Sequence, residues 1–97
     1  MSDREQLIML IKKLACAKEP FEPKCDEFVI KYDLNTDYDA LSQLEHRLFA
    51  DLSEIADRYS NDPEELSWSN VYFTKEQIQK EAIQILTTLG IPYHEEN

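Results

Sequence analysis

The stretch DALSQLEHRLFADLSEIADRY, residues 39–59, decides the fold of this chain. Its apolar residues recur at intervals of three and four for roughly five turns. They are Leu41, Leu44, Leu48, Phe49, Leu52, Ile55, Ala56 and Tyr59. Residues at this spacing share one side of an α-helix, which can then bury an apolar stripe. We therefore expect a long amphipathic helix from about Asp39 to Tyr59, with Asp37 or Asp39 as the cap at its start.

Helical patterns also occupy the segments before and after this stretch. The capping box SDRE, residues 2–5, opens the first pattern, whose apolar stripe continues to about Lys18. A shorter helix is predicted to start near Pro23, because proline suits the first turn of a helix. A second capping box, TKEQ at residues 74–77, opens the last helix, which Gly90 is expected to end. The order of these segments predicts four helices.

The composition agrees with an all-α fold. The chain has 97 residues, of which 42% are hydrophobic and one is glycine. That length supports a single core, and so little glycine argues against a turn-rich β protein. We therefore predict one domain over residues 1–97, folded as an antiparallel four-helix bundle with an irregular link at residues 60–73.

Nothing in the sequence predicts export or membrane insertion. No apolar run approaches the roughly 20 residues of a membrane span, and the first residues, MSDREQ, are polar. A cytoplasmic location is therefore expected. In such a reducing compartment, Cys16 and Cys25 are expected to be free thiols.

The acidic residues are unevenly distributed along the chain. There are 20 acidic and 10 basic residues, which gives a net charge of −10. Between Asp33 and Glu65 there are ten acids but only two bases, Arg47 and Arg58, so this third carries −8. Direct nucleic-acid binding is disfavoured, because phosphate contacts need Lys and Arg. A basic protein partner is favoured instead.

No catalytic, cofactor or metal site is predicted. The acids of residues 33–39 resemble the start of a calcium loop, but the sixth position, where an EF-hand needs glycine, is Tyr38. The twelfth position, where a bidentate glutamate is needed, is Leu44. His46 is expected at the surface or boundary of the long helix, and His94 lies near the end of the chain. The role of residues 33–39 stays open.

An exposed acidic surface is predicted along the long helix and into the link. On the helix, three acids fall at three-residue spacings away from the apolar stripe. Large aromatic residues follow the acids of the link, and rigid rings beside charges suit recognition of a partner. The predicted partner-binding residues are Asp51, Glu54, Asp57, Asp62, Glu64, Glu65, Trp68 and Tyr72. For Trp68 and Tyr72, packing against the end of the bundle is an equally open alternative, whereas Phe73 is expected to pack.

In its order of features, the chain resembles the colicin D immunity proteins and the related immunity proteins of contact-dependent growth inhibition systems. The most similar parts are RLFADLSEIADRYSNDPEEL at residues 47–66, the acidic and aromatic link, and KEQIQKEAIQIL at residues 75–86. The opening segment LIMLIKKLACAKEPFEPKCDEFV, residues 7–29, fits more loosely. The resemblance covers nearly the whole chain and rests on pattern and helix order rather than on a signature motif.

The resemblance implies a non-enzymatic inhibitor that binds the nuclease domain of a cognate toxin, typically one that cleaves tRNA. In the family, acids at the end of the third helix and in the following turn cover the toxin's positively charged cleft. Asp57, Asp62 and Glu64 match those positions, with Glu65 adjacent, whereas the longer link with Trp68 departs from the pattern. A monomer in a 1:1 toxin complex is expected. The alternative is an acidic helical adaptor or antitoxin-like protein that binds another basic protein.

Overall fold

A computed structural model describes residues 2–68 and 71–93 of the chain. Within these residues the fold is all-α, as predicted, but it has five helices rather than four, because a short helix forms in the link that was predicted to be irregular. They are α1 (Asp3–Cys16), α2 (Glu22–Leu34), α3 (Gln43–Asp57), α4 (Pro63–Leu66) and α5 (Lys75–Thr88). A 3₁₀ turn, Tyr38–Ala40, lies between α2 and α3. In this described part of the chain, no helix is both long enough and apolar enough to cross a bilayer.

The four longer helices pack around a shared core. α1 packs against α2 and α5, and α3 packs against the same two helices, so α1 and α3 lie diagonally across the core. The largest fully buried side chains are those of Leu7, Ile11, Leu14, Phe21, Cys25, Phe28, Phe49, Leu52, Ile78, Ile85 and Leu86. Burying one large apolar side chain contributes about 1.5–3 kcal/mol, so this core is the main source of stability.

Neither Cys16 nor Cys25 forms a disulfide, which agrees with the prediction. Cys25 is 1% exposed, and burial, with the nearby carboxylates of Asp26 and Glu22, raises the pKa of its thiol to about 12. Since the thiolate is the reactive form, Cys25 acts as a core residue at neutral pH.

The start of α3 differs from the prediction. The helix begins at Gln43 rather than near Asp39. Its cap is Ser42, whose hydroxyl accepts a hydrogen bond from the Glu45 N–H (3.1 Å), and the Glu45 carboxylate accepts one from the Ser42 N–H (3.0 Å). Asp37 instead caps the 3₁₀ turn by accepting from the Asp39 N–H (3.0 Å). The prediction of an aspartate cap was therefore wrong, because Ser42 and Glu45 satisfy two backbone N–H groups at once.

Glu45 also joins α3 to α1. Its carboxylate accepts a hydrogen bond from the Arg4 guanidinium (Nε to Oε2, 2.6 Å), and the residue is 7% exposed. Burial opposes the charged form, but the hydrogen bonds from the Ser42 N–H and from Arg4 outweigh it and lower the pKa of Glu45. A carboxyl group whose pKa is lowered by folding stabilises the fold above its unfolded pKa, near 4.5, and this contribution is lost as the pH falls through the folded value.

The variant Glu45→Gln is expected to lower the free energy of unfolding by about 1.5 kcal/mol at neutral pH. Glutamine can keep the capping box, but it leaves the Arg4 guanidinium without its charged partner. The difference from the wild type should shrink as the pH falls from about 4.5 through the lower pKa of folded Glu45, because the unfolded wild-type chain takes up a proton there before the folded chain does. Urea unfolding at neutral and at acidic pH measures both effects. Asp26→Asn, on the exposed side of α2, is the control, and a difference that does not depend on pH would contradict the prediction.

The other helix ends follow the sequence, except that α1 and α3 each end about two residues early, α3 at Asp57 rather than near Tyr59. α5 opens with the predicted capping box at residues 74–77, and Gly90 follows it with a φ of 70°. α1 ends at Cys16 rather than near Lys18. Ala17 adopts a left-handed φ of 53° there, and its N–H bonds back to carbonyl groups of the last turn.

Candidate functional site

The link between α3 and α5 contains α4 and is tied together at its two ends. The Ser60 N–H donates to the Phe73 carbonyl (3.1 Å), and the Phe73 N–H donates to the Arg58 carbonyl (2.9 Å). Phe73 packs against the core, as predicted, and Tyr59 beside it contacts the Phe21 ring edge to face. These contacts join the two ends of the link, so the segment that carries α4 leaves and returns at the C-terminal end of α3.

Two of the predicted site residues help to build this link. Asp62 caps α4 by accepting a hydrogen bond from the Glu64 N–H (3.0 Å). Glu65 accepts a hydrogen bond from the hydroxyl of Ser60 (2.6 Å). Ser60 is buried, with 6% of its surface exposed. The same hydroxyl oxygen accepts from the Asp62 N–H (3.0 Å). Asp62 and Glu65 therefore have structural roles, and part of their hydrogen-bonding capacity is used inside the chain.

Three of the four acidic side chains of α3 lie on the side away from the core, and the fourth, Glu45, is buried. Asp51, Glu54 and Asp57 are exposed, and at 3.6 residues per turn they lie across the helix from its buried positions. Arg58 lies among them, and its guanidinium is 3.8 Å from the Glu54 carboxylate. This contact offsets part of the charge of Glu54, and Arg58 also follows Asp57 directly, so one positive charge lies where α3 ends.

Three of the predicted carboxylates are left available to a partner. Among the described residues, the side chains of Asp51, Asp57 and Glu64 make no hydrogen bond or ion pair, and all three are exposed. The sequence between Arg58 and Lys75 contains no lysine or arginine, so the base nearest to Glu64 along the chain is Arg58. Asp57 and Glu64 are thus the carboxylates best suited to contact a basic surface at the end of α3.

Trp68 and Tyr72 form an aromatic pair beside these acids. Their ring centroids are 5.8 Å apart, and the rings are inclined at 48°. Trp68 is 52% exposed, Val71 is 41% exposed and Tyr72 is half-buried. The backbone N–H of Trp68 donates to the Glu65 carbonyl (3.1 Å), and this bond fixes the backbone next to α4. About half of the surface of Trp68 is thus open to solvent, and the rest is covered by the chain.

A groove of about 360 Å³ adjoins the link. Its lining consists of Glu19, Tyr59, Ser60, Asn61, Leu66, Thr74, Lys75 and Glu76. Lys75 donates to the Glu19 carboxylate (2.7 Å), and this bond, with one from the Phe21 N–H, lowers the pKa of Glu19. The sequence analysis missed this groove, because its walls come from three separate parts of the chain.

The acidic segment 33–39 has internal roles. Asp33 accepts a hydrogen bond from the Ser53 hydroxyl (2.8 Å), which links α2 to α3. The Asp37 N–H donates to Asp3 (2.8 Å), and this bond is the main reason that the pKa of Asp3 is lowered. Among the residues that the structure describes, no three His, Cys, Asp or Glu side chains come close enough together to hold a metal ion.

His46 belongs to an aromatic cluster between α2 and α3. The Tyr32 hydroxyl lies within hydrogen-bond distance of both the His46 carbonyl oxygen (3.1 Å) and the His46 Nδ1. The Tyr38 ring lies 4.7 Å from the imidazole, and burial raises the pKa of Tyr32 to about 12. No spacing in the sequence indicated this cluster. His94, the other histidine, lies outside the described residues.

The eight predicted site residues therefore occupy α3 and the link that follows it. α3 carries Asp51, Glu54 and Asp57, and the link carries Asp62, Glu64, Glu65, Trp68 and Tyr72. The likeness to immunity proteins stays a prediction from the sequence. No family model, no curated protein and no solved structure matches this chain.

Proposed function

We propose that this chain is an immunity protein that binds the nuclease domain of a cognate toxin, one that cleaves tRNA, and covers its basic active-site cleft. The acidic surface consists of Asp51, Glu54, Asp57, Asp62, Glu64 and Glu65. Its carboxylates take the positions that RNA phosphates would occupy. The protein acts in the cytoplasm, performs no catalysis and forms a 1:1 complex as a monomer. Its four longer helices are arranged as an antiparallel bundle.

The observation that carries this proposal is the group of available carboxylates where α3 ends. Asp57 and Glu64 are exposed and make no internal bond, while Phe73 and Ser60 tie the link to the end of the helix. Several like charges on one region create a potential that attracts a cationic pocket. If these acids served only to keep the surface hydrated, neither the fixed link nor an exposed tryptophan beside them would be required.

Charge and shape contribute to different steps of such an inhibition. Opposite charges on the two proteins speed encounter, toward roughly 10⁸ M⁻¹s⁻¹ at low salt. Tight binding needs a centre that is closed off from water, because neither buried area nor charge alone sets affinity. Trp68 is the residue that we propose for that centre. Its exposed ring can enter a cavity of the toxin with little change in the rest of the link, and the Tyr72 ring lies next to it.

The experiment uses the protein encoded by the gene that adjoins this chain's gene. Its C-terminal domain is purified, mixed with the full 97-residue chain, and assayed for cleavage of total tRNA. We expect the two proteins to coelute as a 1:1 complex and cleavage to stop when the chain is equimolar with the domain. The complex should weaken as the salt concentration rises, because charge contributes to the association.

Two results would contradict the proposal. Failure of the neighbouring domain to bind, or tRNA cleavage that continues in the saturated complex, would each overturn it. Binding to a basic protein that lacks nuclease activity would point instead to the acidic adaptor or antitoxin-like protein.

A further inference from the structure

The short helix α4 is held in place by polar bonds and not by burial in the core. It has four residues, and none of them is buried. Leu66, its one large apolar residue, is half-buried and lines the groove beside the link, outside the core. A single helical turn is not stable by itself, because it fixes several dihedral angles for one hydrogen bond. Bonds to the rest of the chain therefore have to fix the position of α4.

The Ser60 hydroxyl makes two such bonds. Its oxygen accepts a hydrogen bond from the N–H of Asp62 (3.0 Å), the residue that caps α4. The hydroxyl also donates to the carboxylate of Glu65 (2.6 Å), which lies within α4. The backbone of Ser60 is itself fixed, since its N–H donates to the Phe73 carbonyl (3.1 Å). One side chain thus connects the segment after α3 to both the cap and the body of α4.

The burial of Ser60 sets it apart from the exposed polar residues of the link. Among the described residues, the buried serines are Ser53 and Ser60, which are 4% and 6% exposed. Each hydroxyl donates to a carboxylate, and the partner of Ser53 is Asp33 (2.8 Å). A buried hydroxyl is costly unless it is bonded, so both serines serve as connections between elements. The Ser53 bond joins α3 to α2, whereas the Ser60 bond joins the segment after α3 to α4.

We infer that Ser60 positions the acidic and aromatic residues of the link for the partner, acting through Asp62 and Glu65. α4 carries the available carboxylate of Glu64, and the backbone N–H of Trp68 donates to the Glu65 carbonyl (3.1 Å). The places of both residues therefore follow from the place of α4. Ser60 is a positioning residue, since its buried hydroxyl is not exposed to a partner. The inference rests on the proposed function for the identity of the partner, whereas the positioning is a property of the chain alone.

Amide hydrogen exchange of the full chain, followed by NMR, measures the positioning. In Ser60→Ala we expect the amides of Leu66 and Ser67, whose N–H groups bond within the link, to exchange about tenfold faster. Ser53→Ala is the matched control, because it removes the other buried serine hydroxyl and its bond to a carboxylate. It should lower the free energy of unfolding but leave the exchange of these two amides unchanged, since the Ser53 bond does not involve α4.

Variants of Glu65 test whether Ser60 acts through this carboxylate. Glu65→Ala should speed the exchange of the same amides several-fold in the wild-type background. It should have no further effect when added to Ser60→Ala, which already lacks the bond. Glu65→Gln keeps an oxygen that can accept from the hydroxyl and should exchange as the wild type does. Additive effects of Ser60→Ala and Glu65→Ala would overturn the inference.

Binding to the toxin nuclease domain tests what the positioning is for. Ser60→Ala should bind about threefold more weakly, because the affinity falls with the fraction of chains in which the link is already in place. Ser53→Ala should bind as the wild type does. Unchanged exchange in Ser60→Ala, or equally fast exchange in Ser53→Ala, would overturn the positioning. Faster exchange in Ser60→Ala with wild-type affinity would overturn its role in binding. If the wild type binds no toxin domain, the proposed function fails, while the exchange rates still decide the positioning.

Discussion

The variant Asp57→Lys with Glu64→Lys is expected to bind the toxin nuclease domain about a thousandfold more weakly than the wild type, a loss of roughly 4 kcal/mol. Each substitution removes an available carboxylate and places a like charge against the basic cleft. Such a contact costs more than simple truncation, because the opposing cation is left both unpaired and repelled. Protection of tRNA should be lost at equimolar protein.

The structure favours these two positions over Asp62. Asp62 caps α4 through the Glu64 N–H, so its replacement by lysine would perturb the link and also remove a charge. Asp57 and Glu64 make no internal side-chain bond to the described residues. Asp62→Asn, which retains a good capping side chain, should test the charge of that residue separately.

The matched control for this prediction is Asp26→Lys with Asp39→Lys. Both positions are exposed, and the two variants change the net charge equally, from −10 to −6 (two replacements of +2 each). The control should lose some association rate, since long-range steering depends on total charge, but should keep its slow dissociation. Titration calorimetry measures the affinity and stopped-flow kinetics measures the association rate, so together they distinguish slower association from faster dissociation. Equal weakening in both variants would show that net charge, not the end of α3, determines binding.

Trp68→Ala is expected to weaken the complex by about 3 kcal/mol, more than a hundredfold, through faster dissociation. The indole is 52% exposed in the chain alone and would be closed off from water in the complex. Because the side chain is half exposed in the chain alone, its removal should change the free energy of unfolding by less than about 1 kcal/mol. A residue that mainly packed would show the reverse, a large loss of stability with little loss of binding.

Leu34→Ala provides the control for this truncation. Leu34 is 76% exposed at the end of α2, so the change removes an exposed apolar side chain outside the proposed surface. We expect wild-type binding and stability from it. Because the chain has a single tryptophan, the emission of Trp68 should also shift to shorter wavelength when a tryptophan-free toxin domain binds. Unchanged emission in the saturated complex would exclude Trp68 from the contact.

The predictions from the sequence were most accurate where the signal is local. The apolar spacing of residues 39–59 correctly indicated a long amphipathic helix, and Thr74 with Gln77 correctly indicated the start of α5. The predictions were wrong where two local signals competed. Asp37 and Ser42 can both cap a helix, and only Ser42 is followed at the third position by a glutamate that returns the bond.

The helical phase of α3 explains a related difference. Leu44 was assigned to the apolar stripe, yet it is 39% exposed, while the adjacent Glu45 is buried. Neighbouring residues differ by about 100° around a helix, so one position separates a core residue from a surface residue. The hydrogen bond from the Arg4 guanidinium compensates the burial of the Glu45 carboxylate. Arg4 lies 41 positions away in the chain, so periodicity could not identify it as the partner.

The sequence by itself determined that the chain is all-α, where its long helices lie, and that the acids are concentrated between residues 33 and 65. These properties depend on spacing and composition, which are local. Only the tertiary structure decided that the ends of the link pair, that Asp62 and Glu65 are partly used inside it, and that Glu45 is buried beside Arg4. Those features depend on contacts between residues far apart in the chain, and such contacts follow from how the helices pack.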